Sequence, residues 1–216
     1  PGYALFAAIK KKLGEPRIIA EDLGFLTDDV NALLRKCGYP GMKVLEFGFD
    51  SRDGGDYRPH GYPVNSIAYV GTHDNEPVNG WMATAAPEDV ARAVRYLNLT
   101  KQEGYHWGMM RGIWASAAEL SIVQAQDLLG LGHEARMNTP GNPAGNWQWR
   151  VAAKDLTPAL ARKIHEMSAR YFRAEPLPEA EPKKEKAPAP QPKAKAADAK
   201  EEKTTAPAKK AAKSAK

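Results

Sequence analysis

Two kinds of hydrophobic pattern alternate along residues 1–173. In the first kind, apolar residues recur every three or four positions, which predicts helices that present one apolar face. In the second kind, short apolar runs predict buried strands. The predicted strands lie at residues 17–21, 42–50, 66–74 and 120–127. The predicted helical faces run from Phe6 to Leu13, Val30 to Leu34, Val90 to Leu97, Trp107 to Ala117 and Leu160 to Tyr171.

Residues that favour helix ends flank most of these helical segments. Gly14 is placed to end the first helix and Gly38 the second, because glycine readily adopts the left-handed conformation at a helix C-terminus. Thr27 is placed to cap the start of the second helix. Pro87 and Thr157 mark the starts of two later helices, Pro87 in a first turn and Thr157 directly before a proline.

The alternation of strands and helices predicts an α/β fold with a parallel sheet that is covered on both faces. Four strand–helix units in about 173 residues amount to half of a (β/α)₈ barrel, which typically needs about 250 residues. A complete but smaller doubly wound sheet has the same pattern. The hydrophobic pattern leaves both architectures open.

The composition changes at residue 174, which predicts two domains at residues 1–173 and 174–216. After Leu177 the chain contains no valine, isoleucine, leucine, methionine or aromatic residue, and it consists mainly of lysine, alanine, proline and glutamate. Such a segment buries too little apolar surface to offset the entropy lost on ordering, so we predict a disordered tail. The tail either keeps the protein soluble or contacts nucleic acid or an acidic partner through its lysines.

The positive net charge of the chain belongs almost entirely to this tail. Residues 175–216 contain 11 lysines and 7 acidic residues, a net +4 of the total +5. The first 174 residues therefore carry about +1, and the pI near 9.2 does not predict a nucleic-acid-binding surface there.

Cysteine content and the absence of long apolar runs predict the compartment and exclude several classes of protein. Cys37 stands alone, which excludes an intrachain disulfide framework and a multi-cysteine zinc site. No segment approaches the roughly 18 consecutive apolar residues of a membrane-spanning helix. The first residues do not resemble a secretory signal. We therefore expect a cytoplasmic protein.

Two acidic residues stand where predicted strands end, Glu21 and Asp74. Functional groups in parallel α/β folds lie beyond the carboxyl ends of the strands. Two carboxyl groups at such an edge are typical of glycoside chemistry, in which one donates a proton and another stabilises the positive charge at the anomeric carbon. Partial burial of Glu21 against residues 18–20 would raise its pKa, as the proton donor requires.

Structural roles for the same residues remain open at this point. Glu21 and Asp22 could cap a helix or form an internal ion pair. His73 and Asp74 could be a hydrogen-bonded pair at a strand end. His60, His73 and Asp74 lack the ligand spacing of a zinc site, so no metal is expected.

Four motifs, IIAEDLG, PGMKVLEFGFD, YVGTHDN and RMNTPGNPAGNWQWR, occur in this order along the chain. Together they resemble the second half of the catalytic barrel of the 4-α-glucanotransferases, the amylomaltase or disproportionating-enzyme family. The resemblance extends from about Pro1 to Arg173. It implies the C-terminal half of a (β/α)₈ barrel. It also implies a retaining enzyme that transfers a segment of an α-1,4-glucan to a maltooligosaccharide or glucose acceptor, without a metal or organic cofactor.

The resemblance assigns a role to five residues. Glu21 matches the general acid/base, and Asp74 matches the carboxylate that holds sugar hydroxyls and stabilises the oxocarbenium-like transition state. His73 and Asn75 match substrate-binding positions beside Asp74. Asn138 matches a loop that lines the acceptor groove. Trp147 and Trp149, farther along that loop, either pack in the core or stack on sugars.

The aspartate nucleophile of the family has no counterpart in this sequence. In the family it ends the strand before the AEDLG strand, in an Arg-x-Asp-His-type motif, and no such motif occurs between Pro1 and Arg17. We therefore expect that the chain alone is not an active transferase. The alternatives are a maltooligosaccharide-binding fragment that does not catalyse, and a nucleic-acid-associated protein that acts through its basic tail.

Overall fold

The computed structural model of the chain describes residues 2–24, 26–52 and 57–175. The predicted disordered tail lies outside these ranges, except for its first two residues. None of the helices in the described ranges combines the length and apolar character needed to cross a membrane.

The described residues contain both α-helices and strands, with two short 3₁₀ segments rather than an α-helix between the first two strands. Within the described ranges the strands are β1 at Gly41–Val44, β2 at Ser66–Tyr69 and β3 at Leu120–Ile122. The α-helices of these same ranges are α1 at Gly2–Leu13, α2 at Asp28–Cys37, α3 at Val78–Thr84, α4 at Pro87–Leu97, α5 at Tyr105–Trp114, α6 at Ala125–Leu128 and α7 at Pro158–Arg170.

The strands form one parallel sheet in the order β1-β2-β3. Gly41 of β1 pairs with Ser66 of β2, and Ile67 of β2 pairs with Leu120 of β3. The chain is therefore an α/β fold with a parallel sheet, as the sequence predicts. Because the strands are parallel, their carboxyl ends meet at one edge, and the connections that follow β1 and β2 lie side by side.

The prediction of a strand at residues 17–21 was wrong, because only one bridge forms there, between Ala20 and Gly41. The Ala20 N–H donates to the carbonyl of Pro40 at 2.9 Å. The Met42 N–H donates to the Asp22 carboxylate instead of continuing the ladder. A side chain thus takes the backbone donor that a longer strand would need.

The other three predicted strands are shorter than expected. After Val44 the chain turns through a 3₁₀ segment at Leu45–Phe49, in which Leu45, Glu46, Gly48 and Phe49 are all buried. Continuous burial suits a turn as well as a strand, and the apolar pattern does not distinguish them. The strands at 66–74 and 120–127 end at Tyr69 and Ile122, and α3 has no counterpart in the prediction.

The predicted helix ends are mostly confirmed. α1 ends one residue before Gly14, which has a φ of +80°, and Gly38 ends α2 in the left-handed conformation. Thr27 directly precedes α2 but makes no capping bond through its side chain. The Thr157 hydroxyl accepts a hydrogen bond from the backbone of Leu160 at the start of α7.

The hydrophobic core lies between β2 and helices α4, α5 and α7. Seven of the ten residues of α5 are buried, among them Met109, Met110 and Ile113, which are fully inaccessible to solvent. Ala68 of β2 and Val70, the first residue after β2, also belong to this core. The connection that carries Asp74 therefore begins at a core residue, Val70.

Candidate active site

Asp74 lies on the connection between β2 and α3, in a tight turn formed by residues 72–75. The side-chain carbonyl of Asn75 accepts hydrogen bonds from the backbone N–H and the hydroxyl of Thr72, at 2.9 and 2.8 Å. The Thr72 hydroxyl also accepts from the Asp74 N–H at 3.3 Å. The side-chain oxygen of Asn75, a residue that the resemblance places among the substrate-binding positions, therefore holds the turn that carries Asp74.

The Asp74 carboxylate has two side-chain partners. Asn138 donates from its side-chain amide to Asp74 Oδ1 at 2.6 Å. His73 Nε2 lies 3.3 Å from the same oxygen. The backbone N–H of Asn138 also donates to the His73 carbonyl at 3.1 Å. The structure thus brings together three of the predicted site residues from two loops that lie more than sixty positions apart along the chain.

Glu21 comes just after the bridge that joins Ala20 to β1. Its neighbour Asp22 accepts from the N–H of Met42 in β1, and among the described residues it forms no ion pair. A Cβ on Gly41 would meet the Asp22 carboxylate at 2.2 Å, so glycine is needed at this close approach. Glu21 itself is exposed, and the partial burial expected for the proton donor is not found in this chain.

Glu21, His73 and Asp74 line one cavity of about 270 Å³ at the carboxyl edge of the sheet. Tyr69 and Ile122, at the ends of β2 and β3, contribute apolar surface to it. The volume is near the lower end of the range for small-molecule sites. The two acids that the sequence places at strand ends therefore face a shared space, which can hold a polar ligand between them.

A second cavity of about 580 Å³ adjoins the first through Asp74, which lines both. Its walls include Asn75 and Trp81 as well as several charged side chains. Among the charged residues are Glu46, Asp50, Arg52, Glu76, Glu88, Asp89 and Arg136. Asp74 is therefore reached from two sides, and the second side is strongly acidic.

Two buried acids below this edge were missed by the sequence analysis. Glu46 is 5% exposed and Asp127 is 1% exposed. Burial, reinforced by the nearby charges of Asp127 and Glu76, raises the pKa of Glu46 well above its usual value. Burial also raises the pKa of Asp127 to about 6, although a hydrogen bond from the Val78 N–H opposes the shift. In both cases the sequence contained a signal, since an acidic residue lies within a segment predicted to be a buried strand.

Glu76 and Arg136 were also missed as members of the site. Their side chains form an ion pair at 2.5 Å, and His133 Nδ1 contacts the same Glu76 oxygen at 2.9 Å. Arg136 stands at the start of the fourth motif, two residues before Asn138. Its position in that motif gave no sign of its partner sixty residues away.

Trp147 is not a core residue, because 54% of its surface is exposed. Its ring lies 5.0 Å from the His73 ring, measured between centroids, at an angle of 39°. Its backbone has a φ of +63° and donates to the Met137 carbonyl at 2.7 Å. Trp149 is half-buried. An exposed indole beside His73 is available for stacking on a sugar.

Comparison with known proteins points to the family that the four motifs resemble. The glycoside hydrolase family 77 model, described as 4-alpha-glucanotransferase, matches residues 1–156. The 4-alpha-glucanotransferase of Clostridium butyricum is 46% identical over 176 residues, which are 81% of this chain and 36% of that protein. The chloroplastic/amyloplastic 4-alpha-glucanotransferase of Arabidopsis thaliana is 43% identical over 151 residues, 70% of this chain and 26% of that protein.

Among solved structures, the amylomaltase of Streptococcus agalactiae in complex with acarbose matches with a TM-score of 0.76 and 41% identity. The match covers 81% of this chain and 35% of that one. The chain thus spans about a third of the length of the relatives it matches. It belongs to the 4-alpha-glucanotransferase family.

Proposed function

We propose that this chain supplies the C-terminal half of a (β/α)₈ barrel that transfers a segment of an α-1,4-glucan to an acceptor glucan or glucose. The observation that supports the proposal most strongly is the shared cavity of Glu21 and Asp74 at the carboxyl edge of a parallel sheet. Relatives with 43–46% identity carry the name 4-alpha-glucanotransferase, which supports the same reaction.

Glu21 acts as the general acid and then as the general base. It first protonates the glycosidic oxygen of the donor glucan, which allows the first sugar product to leave. It then takes the proton from the acceptor hydroxyl that attacks the anomeric carbon. Its exposed position in this chain gives it direct access to a substrate in the cavity.

Asp74 accepts sugar hydroxyls and stabilises the positive charge that develops in the transition state. Asn138 and His73 both contact its Oδ1 oxygen and donate further hydrogen bonds to sugar hydroxyls. Asn75 contributes mainly by shaping the turn, because its carbonyl is already bonded to Thr72. Trp147 offers a stacking surface beside His73.

The covalent step of a retaining transferase needs a nucleophilic carboxylate, and these 216 residues contain no match to the family's motif for it. We therefore expect that the 216-residue chain alone does not convert maltotriose into glucose and maltopentaose. Clear turnover by this chain would contradict that expectation.

The transfer reaction is tested in a chimera in which residues 1–175 replace the matching third of the Clostridium butyricum enzyme. The chimera should disproportionate maltotriose, and Glu21→Gln should lower kcat by about 10²- to 10⁴-fold, the usual contribution of a general acid/base. Asp74→Asn should also cause a large loss. Glu15→Gln, a change at an exposed acid that pairs with Lys10, is the matched control and should leave kcat unchanged. An active Glu21→Gln chimera would refute the assigned role.

Binding of maltooligosaccharides without catalysis is a second candidate for the isolated chain. It is favoured by the presence of Asp74, His73, Asn138 and Trp147 in contact with one another on this chain alone. Isothermal titration with maltotetraose tests it, and Asp74→Asn should weaken any binding. The alternative of nucleic-acid binding depends on the tail, beyond the described residues.

A further inference from the structure

Arg136 connects the two loops that form the site, and each of its three guanidinium nitrogens donates a hydrogen bond. Nη2 donates to the Asp74 carbonyl at 2.7 Å, and Nε donates to the Asn138 carbonyl at 2.9 Å. Nη1 donates to Glu76 Oε1 at 2.5 Å. The side chain is 20% exposed, so these contacts are largely sheltered from water.

We infer that Arg136 is a positioning residue that holds the Asp74 loop against the Asn138 loop, so that the Asn138 amide meets the Asp74 carboxylate. The inference rests on the proposed role of Asp74 in sugar binding. Asp74 lies between β2 and α3, and Asn138 lies between α6 and α7, so neither belongs to a regular element. Their mutual geometry therefore depends on contacts between loops.

Glu76 fixes the other end of the guanidinium. It is 15% exposed and sits two residues before α3, and its oxygens also contact His133 Nδ1 at 2.9 and 3.1 Å. A Cβ on Gly80 would lie 2.6 Å from Glu76 Oε2, so the glycine in α3 leaves room for the carboxylate. The ion pair thus ties Arg136 to the beginning of a helix.

The fork of donors on arginine is what this arrangement requires. A lysine at position 136 could keep the charge and the pairing with Glu76. Its single ammonium group could not reproduce the planar donor geometry that reaches two backbone carbonyls and a carboxylate together. Arg136→Lys therefore separates loop positioning from charge compensation.

The test is amide hydrogen exchange in the full 216-residue chain. Because the Asn138 N–H donates to the His73 carbonyl, its exchange reports whether the two loops stay together. Arg136→Lys should raise the exchange rate of Asn138 about tenfold, the effect of losing one or two hydrogen bonds. The rate for Glu46, whose N–H donates to the Val70 carbonyl in the core, and the urea midpoint should stay nearly unchanged.

Arg173 provides the matched control. Its guanidinium likewise donates to backbone carbonyls, those of Trp114, Ser116 and Ala118, none of which belongs to the Asp74 loop or the Asn138 loop. Arg173→Lys should leave the exchange of Asn138 unchanged. The inference is overturned if Asn138 exchange does not rise in Arg136→Lys, if it rises equally in Arg173→Lys, or if it rises only in step with global unfolding.

A second measurement uses acarbose as the probe, because the exchange assay involves no sugar. Arg136→Lys should weaken acarbose binding by about fivefold or more without changing the urea midpoint, an effect that loss of overall stability would not produce. If the unmodified chain binds no acarbose, the proposed sugar site of the isolated chain is wrong. The exchange rates still decide whether Arg136 positions the loops.

Discussion

The region around α5 and the region formed by α1 and α2 differ in how deeply they are buried. Seven of the ten residues of α5 are buried, whereas α1 and α2 contain no buried residue in the described chain. Leu5 and Leu13 of α1 are 60% and 76% exposed, although Phe6 contacts Tyr39 edge to face. Apolar periodicity alone did not distinguish these two regions.

The two acids of the candidate site belong to different regions of the chain. Asp74 follows β2, the central strand, which packs against the α5 core. Glu21 follows a single bridge to β1 and belongs to the less buried region. Segments with few buried contacts open at low free energy. In this chain we therefore expect Asp74 to be held firmly and Glu21 to be held weakly.

The largest expected effect is a loss of stability when a side chain is truncated in the α5 region but not in the α1–α2 region. Ile113→Ala in α5 should reduce the free energy of unfolding by about 2–5 kcal/mol, because it removes a fully buried side chain. Leu5→Ala in α1, which removes a mostly exposed side chain, should change it by less than about 0.5 kcal/mol. Urea unfolding followed by tryptophan fluorescence measures both. Equal losses would show that the two regions are equally packed.

A pH effect of similar size is expected in the core region. The pKa of Asp127 is raised to about 6 by burial, from 3.8 in an exposed carboxyl. The folded protein therefore binds the proton more tightly than the unfolded chain, and stability falls as the pH rises through the interval between these values. The charged form costs the folded state about 3 kcal/mol at neutral pH.

Asp127→Asn keeps an acceptor for the Val78 N–H and removes the titration. Relative to the unmodified chain, it should gain about 2 kcal/mol of stability between pH 4 and pH 7, as measured by urea unfolding, because the unfolded carboxyl is already largely ionised at pH 4. Asp50→Asn is the control, because hydrogen bonds from Arg52 lower the pKa of Asp50 to about 2. Its difference from the unmodified chain should stay constant between about pH 5 and pH 7. A constant difference for Asp127→Asn would contradict the assignment.

The smallest expected effect concerns the contact between Gly41 of β1 and Asp22, which follows Glu21. Gly41→Ala would place a Cβ 2.2 Å from the Asp22 carboxylate, so Asp22 must shift away from the Met42 N–H. We expect a loss of about 1–3 kcal/mol, typical of overpacking, with faster amide exchange at Ala20. Gly61→Ala is the control, since no atom lies within 4 Å of its Cβ position. Unchanged exchange at Ala20 would show that the bridge does not depend on this contact.

Local features of the fold were predictable from the sequence where a residue type determines the backbone. Gly38 at positive φ and the Thr157 cap are such cases. Strand lengths were not predictable, because the Asp22 carboxylate takes the Met42 N–H across twenty positions. The pattern of apolar residues within a strand does not show that a distant side chain will bind one of its backbone N–H groups.

The candidate site was predictable in part for the same reason. The position of Glu21 and Asp74 at strand ends predicts that they lie at one edge of a parallel sheet. Arg136 and Glu76 act through partners sixty positions away, which spacing does not reveal. The exposure of Trp147 likewise depends on how its loop folds onto Met137.

The most direct test of the shared cavity is a titration of the isotope-labelled 216-residue chain with acarbose, followed by amide chemical shifts. A sugar bound between the two acids should shift the amides of both Glu21 and Asp74 with one common Kd. Shifts at Asp74 without Glu21, or at neither residue, would contradict a common sugar site formed by the two acids.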